Sequence, residues 1–128
     1  MSAISTHVLD IAAGCPAAGL TVRLEHVAPA GPQQIATATT DSGGRVTSLG
    51  PEQLEPGTYR LVFDTGGYQV RQYQQGTDDA AFAREAPLSP EIPFFPEVTV
   101  TFTVADDREH YHVPLLMSPF GYSTYRGS

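Results

Sequence analysis

The sequence predicts an all-β sandwich of about seven or eight short strands, and three observations carry that expectation. Apolar and polar residues alternate with a period of two in several separate stretches. Turn signals rich in glycine, proline and aspartate interrupt them at spacings of roughly 8 to 12 residues. Only one stretch has helical character, and it spans about two turns. The 128 residues contain no internal repeat and no dividing linker, so a single domain over residues 1–128 is expected.

The first strand is Ile4 to Asp10, with Ile4, Thr6 and Val8 on one face and Ser5, His7 and Leu9 on the other. It ends at a small-residue turn around Gly14 and Pro16. Leu20 to Val27 alternates more cleanly, Leu20, Val22 and Leu24 opposing Thr21, Arg23 and Glu25. Ala28-Pro-Ala-Gly-Pro-Gln33 reads as a loop, and Ile35 to Thr40 as the next strand, running into the turn Asp41-Ser-Gly-Gly44. Arg45 opens a short strand that Gly50-Pro51 closes. Gly57 to Asp64 follows, with Tyr59, Leu61 and Phe63 on one face. The segment from Gly66 to Gln75 has no clear strand pairing. The helical signal is Thr77 to Glu85, capped by Thr77 or Asp78 and stopped by Pro87. Glu97 to Ala105 is the strictest alternation, with Val98, Val100, Phe102 and Val104 inward and three threonines outward. Asp106-Asp107 turns the chain into a closing stretch from His110 to Ser128, whose last part, Gly121 to Ser128, reads as a final strand.

Composition removes several classes of function. Fourteen acidic residues against seven arginines give a net charge of −7, which argues against a nucleic-acid or anionic-membrane partner. There is no lysine, so Schiff-base chemistry is excluded. Cys15 is the single cysteine, which rules out an intrachain disulfide, fits a reducing compartment and reads as an inert filler. No apolar run approaches a membrane span and no secretory signal is recognisable, so a soluble, cytoplasmic protein is expected.

Few residues invite chemistry one at a time. His110 and His112 stand two apart in a strand and so share a face, with Tyr111 on the other. With His7 they form a conceivable metal ligand set, but no fourth ligand is nominated. The plainer alternative buries one and exposes the other. His7 alone is an ordinary strand histidine, and Arg45 an ordinary residue after a turn. The closing Tyr125-Arg126-Gly127-Ser128 is harder to dismiss, since a plain last strand needs no phenol, cation and hydroxyl together.

Four segments in order resemble the transthyretin-like family, and within it the 5-hydroxyisourate hydrolases of purine breakdown. They are Thr6-His-Val-Leu-Asp10 with Gly14-x-Pro16-Ala17, Thr40-Asp-Ser-Gly-Gly-Arg45, Phe94-Phe-Pro-Glu-Val98, and His110-Tyr-His-Val-Pro-Leu-Leu-Met-Ser-Pro119 running into Tyr122-Ser-Thr-Tyr-Arg-Gly-Ser128. The Tyr-Arg-Gly-Ser end is the most specific, because it sets the hydrolases apart from the hormone carriers. The resemblance implies two four-stranded sheets with one short helix, assembled as a homotetramer around a central channel with sites at the dimer–dimer interface. It implies hydrolytic opening of a ring amide in 5-hydroxyisourate, giving 2-oxo-4-hydroxy-4-carboxy-5-ureidoimidazoline, without metal or organic cofactor. It places catalysis on His7, Arg45, His112 and Ser128, and substrate binding on His7, Arg45, Tyr125, Arg126, Gly127 and Ser128. On this reading His112, or the His7/His112 pair, activates water and Arg45 stabilises the oxyanion. Three departures from the family pattern stand out: Gly44 where aspartate is common, which could loosen Arg45, Met117 for leucine, and a long Ala86 to Pro93 loop. The alternatives are a small-ligand carrier of the transthyretin type and a metal-binding module on His7, His110 and His112.

Overall fold

The computed structural model describes residues 2–75 and 92–127. Among the described residues, ten strands form two sheets that face each other across one core. The strands are β1 (Ile4–Asp10), β2 (Cys15–Pro16), β3 (Thr21–Ala28), β4 (Gly31–Thr39), β5 (Arg45–Leu49), β6 (Gly57–Phe63), β7 (Val98–Val104), β8 (Tyr111–His112), β9 (Leu115–Ser118) and β10 (Gly121–Thr124). One sheet runs β4-β3-β6-β7, antiparallel throughout. The other centres on β1 in the order β10-β9-β1-β2, with β5 and β8 also paired to β1. β2 and β8 are two-residue pieces, so this sheet consists of four longer strands with two short additions.

The alternation read from the sequence becomes the core. Ile4, Thr6 and Val8 from β1 are buried against Leu24, Leu61 and Phe63 from the facing sheet, and Leu115 and Met117 from β9 close the same layer. Thr6 is polar, yet its buried hydroxyl donates to the Val113 carbonyl at 2.6 Å. That bond matters because an unpaired buried hydroxyl costs about 1–3 kcal/mol. It also joins β1 to the segment that carries His112.

Two boundaries differ from expectation. β4 begins at Gly31 and takes in Pro32 and Gln33, which the sequence assigned to a loop. An edge strand tolerates proline, because one row of its backbone N–H groups has no ladder partner. β4 is such an edge, and Pro32 pairs in register with Val27. The final strand stops at Thr124 rather than continuing to the chain end.

The helix among the described residues is α1 (Thr65–Gln75), and the helical signal at Thr77 to Glu85 lies outside them. Asp64 caps α1: its Oδ1 accepts from the Gly67 amide at 3.0 Å and its carbonyl accepts from Tyr68 at 3.2 Å. Gly66 is there for contact rather than flexibility. Its amide donates to the Pro96 carbonyl at 2.9 Å, and a Cβ would sit 2.7 Å from that same oxygen. Tyr68 ties the helix to the site sheet, its hydroxyl donating to Asp10 Oδ2 at 2.9 Å at the end of β1. Among the described residues, no helix is long and apolar enough to cross a membrane.

Candidate active site

With Ile4, Thr6 and Val8 turned into the core, Ser5 and His7 project from the opposite face of β1. β1 is flanked there by two other strands. Ser5 lies in parallel register with His112 of β8, and His7 in antiparallel register with Arg45 of β5. Cross-strand neighbours on one face have Cβ atoms about 5 Å apart. Residues 5, 7, 45 and 112 are thus brought together by strand pairing, although the first and last of them lie over a hundred positions apart in the chain. Three of the four sequence-predicted catalytic residues, His7, Arg45 and His112, share this face. Ser128 lies outside the described residues.

Hydrogen bonds fix the rings. Ser5 Oγ is 2.8 Å from His112 Nδ1 and 2.8 Å from His110 Nε2, and His110 Nδ1 is 3.0 Å from the Ser2 carbonyl. The two histidines therefore do share a face, as their spacing predicts, and one serine bridges them. His7 Nε2 lies 2.9 Å from the Gly43 carbonyl, so it is the protonated nitrogen of that ring. Burial holds the His112 imidazole below its ordinary 6.5, and the positive charge of Arg45 pushes the same way, as does a proton gained by His110 or His7. A hydrogen bond with the Ser5 backbone opposes this only in part.

The Asp41–Gly44 turn sets where Arg45 starts. Asp41 Oδ1 accepts from the Gly43 amide at 2.9 Å and from the Arg45 amide at 3.0 Å. The Arg45 amide bond is the main reason the Asp41 carboxyl titrates below the usual range. Gly44 has φ of 75°, and a Cβ there would lie 2.4 Å from the Val8 carbonyl and 3.1 Å from the Ala17 nitrogen. An aspartate does not fit this backbone. Gly44 thus anchors Arg45 instead of loosening it, and its carbonyl accepts from the Val8 amide at 2.7 Å. Gly44→Ala is expected to cost about 2 kcal/mol or more, from both the clash and the left-handed backbone. Denaturant unfolding measures it.

The closing segment divides between two places. Gly127 bridges to His112, its amide donating to the His112 carbonyl at 2.7 Å. A Cβ on Gly127 would lie 2.5 Å from His112 Cδ2. Gly127→Ala is therefore expected to push the imidazole aside and lower turnover by roughly 10-fold or more, with the melting temperature nearly unchanged. Steady-state kinetics beside a thermal melt check this. Arg126 goes elsewhere. Its guanidinium stacks 4.6 Å over the Tyr111 ring and meets Glu109 Oε2 at 3.4 Å. With Tyr125 it lines a shallow groove of 240 Å³ against Val100, Phe102 and Val113. In this single chain, Tyr125 and Arg126 line that groove, whereas Gly127 meets the His112 ring.

Ser5 is the site residue that sequence reasoning missed. The signal was present, since Ser5 is two residues before His7 on one strand, but only the β1–β8 register shows which ring it meets. Among the described residues, no group of three or more His, Cys, Asp or Glu side chains is placed to hold an ion. Both His110 nitrogens are instead engaged by Ser2 and Ser5.

A family model described as HIUase/Transthyretin family matches residues 4–127. The chain belongs to that family. A 5-hydroxyisourate hydrolase of Salmonella dublin is 42% identical over 126 residues, covering 98% of this chain and 80% of that protein. The solved structure of Klebsiella pneumoniae 5-hydroxyisourate hydrolase superposes with a TM-score of 0.76 at 31% identity, covering 100% of both chains. Transthyretin from Sparus aurata superposes with a TM-score of 0.79 at 28% identity, covering 99% of this chain and 97% of that one. Backbone shape therefore does not separate the two branches of the HIUase/Transthyretin family.

Proposed function

We propose that this protein hydrolyses 5-hydroxyisourate to 2-oxo-4-hydroxy-4-carboxy-5-ureidoimidazoline. The observation that carries this reading is the convergence of His7, Arg45 and His112 on one sheet face. Hydrolysis of a ring amide needs a base for water, a cation where the carbonyl oxygen gains charge, and a proton for the departing nitrogen. His112, with a depressed pKa, is the base that takes the proton from water, and it returns that proton to the departing nitrogen as the ring amide opens. Arg45 is the cation, its planar fork suited to the developing oxyanion. His7 holds its Nε2–H on the Gly43 carbonyl, which leaves Nδ1 to orient the water or the substrate's polar edge. Tyr125 to Ser128 hold the substrate in the assembled protein. The chemistry as drawn uses no metal and no organic cofactor.

The same proposal makes the protein a homotetramer with sites at the dimer–dimer interface. Arg45 is exposed and His7 and His112 are half-buried in the single chain. An oxyanion contact acts strongly only where water is excluded, so a second copy over this face supplies what one chain lacks. The cytoplasmic location belongs to the proposal as well, and the lone cysteine supports it.

The pH dependence follows from the sign of the His112 shift. A lowered pKa keeps the base unprotonated as the pH falls from neutral, so activity persists there and is lost only further down. The acid limb of kcat/KM is expected to have its midpoint below 6.5, the ordinary imidazole value. A pH–rate profile tests it.

The near-equal backbone likeness to transthyretin makes a carrier the alternative to test against. Oxidising urate in situ and following the decay of the hydroxyisourate absorbance separates the two. The hydrolase accelerates the decay and a chelator leaves it unaffected. Tight thyroxine binding with no acceleration would favour the carrier.

A further inference from the structure

Four groups in a row determine where the protons sit on His112. The row is the Ser2 carbonyl, the His110 ring, Ser5 Oγ and His112 Nδ1, with separations of 3.0, 2.8 and 2.8 Å. A carbonyl oxygen only accepts, so His110 Nδ1 must carry the hydrogen. The neutral His110 ring then has a bare Nε2, which only accepts. Ser5 has one hydroxyl hydrogen, and His110 Nε2 takes it. Toward His112 the Ser5 oxygen offers only lone pairs, so His112 Nδ1 must be the donor. The remaining nitrogen, His112 Nε2, is left with its lone pair free. Each step follows from donor and acceptor capacity alone.

We infer that Ser5 and His110 are positioning residues that lock His112 in the tautomer protonated at Nδ1, leaving Nε2 as the proton acceptor of the hydrolytic site. The inference rests on the reading of His112 as base given above. It gives a function to the His110-Tyr111-His112 spacing that neither a metal site nor a core histidine accounts for. Ser5 is buried and His112 half-buried, so the inner end of the row is shielded, while the exposed His110 ring is held by its two hydrogen bonds to Ser2 and Ser5. If His110 gained a second proton, Nε2 would donate to Ser5, and the serine hydrogen would turn to His112 Nδ1. The row would then run the other way and His112 Nε2 would carry a hydrogen, unfit to take one from water.

Nitrogen-15 NMR of the imidazoles in the unmodified protein, at a pH above their titration, tests the inference without any variant. The expected spectrum has His112 protonated at Nδ1 and bare at Nε2, with His110 also protonated at Nδ1. A His112 protonated at Nε2 would overturn the inference whatever the activity. Kinetics supply the second arm. Ser5→Ala is expected to lower kcat by roughly 10–100-fold, the range typical of losing a ring-orienting partner, with KM little changed. Ser5→Thr, which keeps the hydroxyl, is expected to restore most of kcat. Normal kcat in Ser5→Ala would overturn the positioning role. Absence of turnover in the unmodified protein would instead sink the function proposed above, while the NMR result would stand on its own.

Discussion

His112→Asn is expected to lower turnover of 5-hydroxyisourate by about 10²–10⁴-fold, the usual worth of a positioned general base. Asparagine can still reach Ser5 with its amide, so the Ser2–His110–Ser5 row keeps a partner and the fold should survive. What disappears is the Nε2 lone pair. The loss should fall on kcat, because the base acts as the water's proton leaves and not while substrate docks. The Gly127 amide bonds the His112 backbone carbonyl, and the substitution leaves that contact in place. A variant that melts like the parent protein but turns over slowly would tie the loss to chemistry. Stopped-flow decay of freshly generated substrate, paired with a thermal melt, makes the comparison.

Arg45→Met is expected to cost about 10²–10³-fold in kcat, comparable to removing one donor from an oxyanion hole. Here too the structure separates chemistry from folding. Asp41 holds the turn through the Arg45 backbone amide, not through the guanidinium, so truncating the side chain leaves the anchor intact. The side chain is exposed, and methionine retains much of its aliphatic stem, so stability should change by less than about 0.5 kcal/mol. Removing the guanidinium also takes one positive charge away from His112. That charge is the second cause of the lowered His112 pKa, so the acid limb of the residual activity should move upward. A pH–rate profile of the variant therefore tests the placement of Arg45 beside His112 as well as its role.

Much of the fold was legible because strand alternation is a local signal. Ile4, Thr6 and Val8, then Leu20, Val22 and Leu24, and again Tyr59, Leu61 and Phe63 are all buried on the face that period two assigns them. α1 was not legible, and the reason is physical. Gly66 and Gly67 depress helix propensity, yet both are required by what they touch: Pro96 at one and the Asp64 cap at the other. Tertiary contact outweighed local preference. The early start of β4 has the same character, since Pro32 is acceptable only because β4 is an edge.

The site was half legible. The spacing of His110 and His112 predicts a shared face, and the family resemblance brings in His7 and Arg45. Ser5 could not be assigned, since its partners depend on a parallel register between β1 and β8 that no local pattern encodes. Nor does spacing reveal that Arg126 turns to Tyr111 and Glu109 while the next residue meets His112. Adjacent residues in irregular backbone can face opposite ways, and period-two reasoning ends where the strand does.

The central claim is that hydrolysis occurs on the face shared by His7, Arg45 and His112. Its most direct test is the decay of hydroxyisourate absorbance, generated by oxidising urate in situ and recorded for the unmodified protein, His112→Asn and Arg45→Met at matched concentration. The account predicts rapid decay with the unmodified protein and decay close to the spontaneous rate with either variant, all three remaining folded. Equal, rapid decay in all three would contradict it.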